Sequence, residues 1–178
     1  MASSVTTMVG VQFDALPYDK GRRWELLEGE LIEVSSPTPE HQDIVFNLLS
    51  ALKRYLKSFS SGRAHQDVEF ALSDQDRLRT DVCVLLGKKA NLDPRKTPIT
   101  GAPDIAVEVI SPSERAGETR HKVVVYLRAG VHEVWQIYPA TREVLVYAGT
   151  ERREFREHEI LTTTLLPGWS LSVQALFE

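Results

Sequence analysis

Cysteine is nearly missing from this chain: among 178 residues only Cys83 carries a thiol. That excludes an intrachain disulfide and any cluster of thiolate metal ligands. Its setting, TDVCVLL, reads as a buried strand in which the thiol serves as a small hydrophobe. A chain without disulfides fits a cytoplasmic location. Long apolar runs are missing as well. No stretch approaches the roughly 20 residues that a membrane-crossing helix needs. The opening, MASSVTTMVGVQF, has neither the basic start nor the compact apolar segment of a secretory signal. Positive charge is not in excess: the formal charge is −4 and the pI about 5.8. That is the opposite of a protein that binds nucleic acid through bulk electrostatics, although local groups such as Lys53, Arg54 and Lys57, or Arg115, Arg120 and Lys122, and bound metal ions can offset the average. Familiar catalytic signatures are absent too. The five histidines show no HxxH or HExxH spacing, which speaks against a zinc hydrolase. Ser111 and Ser113 lack the GxSxG elbow, and no glycine-rich loop matches a nucleotide-binding motif.

What is present is ordinary for a soluble domain: 42% hydrophobic and 26% charged residues, and a length that suits one core. Residues 1–12 are polar and expected to be a flexible start, with 13–178 forming a single domain. WELLEGELIEVSS reads as two short strands around a tight turn at Glu28-Gly29. In SPTPEH, Thr38 can cap a helix and Pro39 suits its first position. The stripe Ile44, Val45, Leu48, Leu49, Leu52, Tyr55, Leu56, Phe59 then predicts a long amphipathic helix closed by Gly62. Two strands follow, RAHQDVEFALS and RLRTDVCVLLG, then a Lys/Pro/Gly-rich surface loop over KKANLDPRKTPITGAP. PDIAVEVI is the central strand, and RHKVVVYLRAG a second helix, opened near Lys122 and stopped at Gly130. Three more apolar runs, VHEVWQIY, REVLVYAG and LLPGWSLSVQALF, complete the chain. This order predicts a mixed sheet with helices packed on it, an α/β (α+β) domain.

One stretch stands out. GAPDIAVEVISPS carries Asp104 and Glu108 in an otherwise apolar run. An ionised carboxylate in a buried strand costs several kcal/mol unless it is paired. Asp81, in TDVCVLL, lies in a similar setting on the neighbouring strand-like run. Two such acids at one end of a sheet can offer oxygens to a hard cation, and Mg²⁺ suits them because it keeps several waters. Equally, each acid can pair with a base such as Arg79 or Lys122 for structure alone, and the residues by themselves leave both readings open. Lys122 could meet a developing phosphate charge, with Tyr126 one turn later on the same face. His41, at a helix start, suits a base or a supporting donor, and equally a surface cap. Asp104, following Pro103, reads as structural.

Three stretches in order carry a resemblance: WELLEGELIEVSSPTPEH, then TDV with GAPDIAVEVISPS, then HKVVVYLRAGVHEVWQIYP. Together they resemble the Uma-two family of endonucleases, formerly a domain of unknown function, in the restriction-endonuclease-like PD-(D/E)XK superfamily. The resemblance covers about residues 13 to 178. It implies a restriction-endonuclease-like mixed β-sheet flanked by helices, with extra strands at both chain ends and metal-bound carboxylates on two adjacent strands. Asp81 then matches the motif aspartate and Glu108 the motif glutamate. Where the superfamily carries a lysine shortly after that glutamate, this chain has Ile110, and Lys122 matches the helical lysine that replaces it. His41 matches a histidine near the start of the first long helix, and Glu25 and Glu30 match hairpin acids that can complete the metal shell. One departure is Thr80-Asp81-Val82, where the family reads Pro-Asp-Val.

The function this implies is a Mg²⁺- or Mn²⁺-dependent endonuclease that hydrolyses DNA. Asp81, Glu108 and the Val109 carbonyl would hold the metal, Lys122 would act on water or phosphate, and His41 would support them. A homodimer suits the cutting of two strands, with Trp135 and Trp169 either lending a surface or lying in the core. The rival is a catalytically inactive nuclease-fold protein that binds DNA or another protein, favoured by the acidic charge, Thr80 and Ile110. A paired-carboxylate glycosidase fits less well, since aromatic residues make up only 8% of the chain and sugar platforms draw on them.

Overall fold

The computed structural model describes residues 7–17, 22–58, 62–93, 95–112 and 114–178. Of the stretch expected to be flexible, residues 1–6 lie outside this set, while Met8 and Gly10 are tied down. Met8 N–H donates to the Gly29 carbonyl at 2.8 Å and Gly10 N–H to that of Asp74 at 2.6 Å. The short helix α1 (Gly10–Asp14) thus begins against two hairpin turns, with Gly10 lying on the Arg77 guanidinium where no β-carbon fits.

The expected hairpin is β1 (Arg23–Leu27) and β2 (Glu30–Val34). Its two-residue turn puts Glu28 at φ 49° and Gly29 at φ 79°, the left-handed pair that matches strand twist. Helix α2 (Pro39–Leu56) starts as anticipated, with the Thr38 hydroxyl accepting from His41 N–H at 3.2 Å. Its leucine stripe is buried, while Phe59 lies outside the described residues. Gly62 does not close this helix; it opens β3 (Gly62–Ser73), crowded by the Leu56 side chain. β4 (Asp76–Leu86) returns antiparallel to β3.

The Lys/Pro/Gly segment is not all loop: it contains a 3₁₀ turn at Gly87–Asn91 and the two-residue strand β5 (Ile99–Thr100) beside β3. β6 (Ile105–Val109) is buried at every position. Helix α3 (Ala116–Arg128) begins earlier than the sequence suggests, so Lys122 lies inside the helix instead of opening it. Gly130, at φ 94°, ends it, and Val131 N–H bonds to the Tyr126 carbonyl at 3.0 Å. β7 (Glu133–Tyr138) runs parallel to β6, followed by antiparallel β8 (Glu143–Ala148) and β9 (Glu151–Arg156). The last apolar run is not one strand. β10 (Ile160–Thr162) pairs with β11 (Ser170–Ser172) as a separate ribbon, and a 3₁₀ turn at Gln174–Leu176 seats Leu176 in the core.

Among the described residues the main sheet has nine strands, in the order β2-β1-β4-β6-β7-β8-β9, with β3 beside β4 and β5 beside β3. One face packs on α2 and the C-terminal segment, the other on α3. Trp135 and Trp169 stack at 5.5 Å and are buried, so they belong to the core and supply no outer surface. Asp104 is a buried junction, accepting from Leu86 N–H at 2.6 Å and pairing with Lys89 at 3.1 Å.

One irregularity positions everything that follows. β3 occupies one edge of β4 along its length. The other edge is shared: β1 meets it at Arg77, and β6 only at residues 82–84. Over residues 78–81 the sheet forks on that side.

Candidate functional site

Side chains fill the fork. Glu25, from β1, accepts the Arg79 backbone N–H at 2.8 Å through Oε1. Asp81, from β4, accepts the Val109 N–H of β6 at 2.7 Å through Oδ2. Each carboxylate satisfies a backbone donor that a neighbouring strand would otherwise take, which a buried amide requires. His41 Nε2, at the start of α2, lies 3.2 Å from the same Asp81 oxygen.

Glu108 sits at the end of the buried strand, on the α3 side. Tyr126 donates its hydroxyl to Glu108 Oε1 at 2.7 Å, and Lys122 Nζ is 3.3 Å from Oε2. The same ammonium lies 2.6 Å from Glu25 Oε2, a charge contact more than an aligned hydrogen bond. The expectation that Lys122 reaches over the strand end is therefore met from within α3. Its face of the helix also carries Tyr126, one turn on, and both are buried.

Burial dominates the electrostatics. It pushes the Glu108 carboxyl up to about 8, with Asp81 and Glu25 adding to the rise and Lys122 and Tyr126 opposing it. Burial also works against the Lys122 charge, but Glu108 and Glu25 outweigh it and hold the ammonium above the ordinary lysine range. For His41 burial is likewise outweighed by the Asp81 hydrogen bond and charge, so its pKa is raised. Glu114 is raised by burial and by Asp81 and Glu25, against Lys122.

These groups face a cleft of about 590 Å³ between α2, β1, β4 and the turn after β6. Its lining includes Glu25, His41, Asp81, Glu108, Val109 and Lys122, and adds Glu114, Arg79, Arg23 and the exposed ring of Phe46. The structure thus brings together every residue expected of the site except Glu30, which is exposed beyond the hairpin turn and does not line the cleft. Glu114 and the Glu108 contact of Tyr126 are additions that pattern reading missed. Helical spacing sets Tyr126 on the Lys122 face without naming Glu108 as its partner, whereas no spacing rule points to Glu114 in an irregular turn.

The donor chemistry suits a hard cation: carboxylate and carbonyl oxygens, with no thiolate near. Among the described residues no group of three or more acidic, histidine or cysteine side chains converges as a ligand cluster. Asp81 and Glu108 as a two-carboxylate pair match what Mg²⁺ commonly takes from a protein, the remaining positions going to water and substrate.

Comparison with known proteins speaks to the family and the fold. Residues 11–174 match the Uma2 family, described as a putative restriction endonuclease. No curated protein matches the chain. Among solved structures it is similar to a putative nuclease belonging to DUF820 from Anabaena variabilis, with a TM-score of 0.82 and 21% sequence identity, over 96% of this chain and 97% of that one. At that identity the likeness speaks for the fold, a nuclease fold of mixed α+β type. With the family matched over nearly the whole length, the conclusion is direct: this chain belongs to the Uma2 family of restriction-endonuclease-like proteins.

Proposed function

We propose that the protein is a divalent-metal-dependent endonuclease hydrolysing DNA phosphodiester bonds. The observation that carries this reading is that Asp81 and Glu108, from β4 and β6, line one cleft, with the Lys122 ammonium 3.3 Å from Glu108. In this reading Asp81, Glu108 and the Val109 carbonyl hold Mg²⁺ or Mn²⁺. Such an ion, when bound, supplies Lewis acidity and eases ionisation of water. The chain's own groups do the rest. Lys122, kept protonated by its carboxylate neighbours, faces the phosphate and offsets charge developing on its oxygens. Glu25 fixes the lysine, Tyr126 orients Glu108, and His41 braces Asp81.

The test is cleavage of supercoiled plasmid with Mg²⁺ or Mn²⁺ by Asp81→Asn and Glu108→Gln, together with calorimetric titration of Mn²⁺. Both variants should lose cleavage and Mn²⁺ heat while keeping their circular dichroism. Cleavage at the wild-type rate in both would refute the assignment.

A second reading, a nuclease-fold module without turnover, has one observation in its favour. Among the described residues, seven carboxylates line the cleft against three lysine and arginine side chains, an environment that repels a polyanion. Wild-type protein that binds no Mn²⁺ at millimolar concentration yet retains a partner would support it.

A further inference from the structure

Hydrolysis needs a group that takes a proton from the attacking water, and the residues named so far are unsuited to it. Lys122 is a cation held between Glu25 and Glu108, so it has no lone pair to offer. Both oxygens of Glu108 are engaged, by Tyr126 and Lys122, and both of Glu25, by Arg79 N–H and Lys122. Asp81 accepts from Val109 and contacts His41 through one oxygen. His41 is committed to that contact through Nε2, and its Nδ1 is buried. Glu40 and Asp43 reach the cleft only from its exposed α2 rim.

Glu114 differs from all of these. Its backbone N–H bonds to the Ser111 carbonyl at 3.0 Å, which fixes the turn after β6. Its half-buried carboxylate lines the main cleft and also a smaller cavity of about 80 Å³ behind it, beside Lys122 and Glu25. That carboxylate also accepts a hydrogen bond from the Ser111 backbone, but among the described residues no ion pair and no side-chain hydrogen bond ties it up, which leaves an oxygen for a proton.

We infer that Glu114 is the general base of the reaction, accepting the proton of the water that attacks phosphorus. This rests on the nuclease reading above. The step balances without another reagent: the water oxygen bonds to phosphorus, and its proton passes to a Glu114 oxygen. The bond from phosphorus to the leaving sugar oxygen breaks, and that oxygen takes a proton from solvent. Glu114 then returns its proton to solvent. The groups that face Glu114 set its readiness. Burial, Asp81 from β4 and Glu25 from β1 raise its proton affinity, while Lys122 from α3 and the Ser111 backbone lower it; His41 from α2 and Tyr138 from β7 feel its charge, and Glu33 and Glu118 share the smaller cavity. The net rise moves the carboxylate toward the neutral range where a base works best.

The experiment is single-turnover cleavage of a labelled DNA duplex across pH by wild type, Glu114→Gln and Glu114→Asp, with Mn²⁺ calorimetry and duplex affinity in Ca²⁺ measured beside it. Glu114→Gln should slow cleavage by about a hundredfold or more and flatten the acidic limb of the rate profile. Its Mn²⁺ and duplex affinities should match wild type, and Glu114→Asp should recover part of the rate. A wild-type rate in Glu114→Gln overturns the inference while leaving the nuclease reading intact. Loss of Mn²⁺ binding in that variant also overturns it, since it would make Glu114 a ligand. Absence of any wild-type cleavage removes both.

Discussion

Glu25 Oε2 approaches Lys122 Nζ more closely than Glu108 does, at 2.6 Å against 3.3 Å. The hairpin glutamate is thus the main anchor of the lysine, and its other oxygen holds the Arg79 amide. Glu25→Ala removes both contacts from a buried place. It should destabilise the fold by about 3 kcal/mol in urea titrations, the usual scale for breaking a buried pair. Glu25→Gln should cost less and lower the cleavage rate, with Mn²⁺ affinity preserved. Equal loss of Mn²⁺ binding and rate would make Glu25 a ligand instead.

Glu108 makes stability depend on pH in a defined direction. Its folded carboxyl titrates near 8, above the ordinary value of 4.5, so the folded state holds the proton more tightly than the unfolded one. The stability this contributes is complete below about 4.5 and is lost as pH rises through about 8. Lys122 keeps its charge across that window. In EDTA, the melting temperature of Glu108→Gln should therefore gain on wild type from pH 5 to pH 9. A constant offset would contradict the burial argument. Mn²⁺ affinity of the wild type should tighten over the same interval, because a ligand carboxylate must be ionised.

The acidic lining of the cleft predicts metal-gated substrate binding. With seven carboxylates against three lysine and arginine side chains among the described residues, duplex DNA should bind at least about tenfold more tightly in Ca²⁺ than in EDTA, measured by anisotropy at low salt. Equal affinities would place the DNA surface elsewhere on the molecule.

Cys83 should be inert. It is fully buried, and burial pushes its thiol up to about 12. Ellman's reagent should leave it unmodified in native protein and react with one thiol per chain in urea. Rapid native labelling would show that the β3–β4 region opens.

Where side chains declare their surroundings locally, the fold could be read directly. The Glu28-Gly29 turn, the Thr38-Pro39 cap, the α2 stripe and the apolar run of β6 all do so. Asp81 and Glu108 stood out because charge is costly in such runs. The failures have equally local causes. α3 begins at Ala116 with no side-chain cap, so nothing marks its first turn. β9, ERREFR, is an edge strand with no fully buried position, and its charges hide the alternation. Trp169, Val173 and Leu176 reach the core from irregular backbone, where no period exists to detect. Glu114 depends on how a turn folds back beside β1 and β4, which no neighbouring residue announces.

The forked sheet has a consequence for inheritance. At the fork, Glu25 and Asp81 stand in for missing strand neighbours by taking the amides of Arg79 and Val109. A relative without nuclease turnover would still draw on both positions, as carboxylate or amide, to close the sheet. Their persistence in a relative therefore reports the closed sheet as well as any chemistry, and the group that selection could release first is Glu114, which among the described residues no ion pair holds.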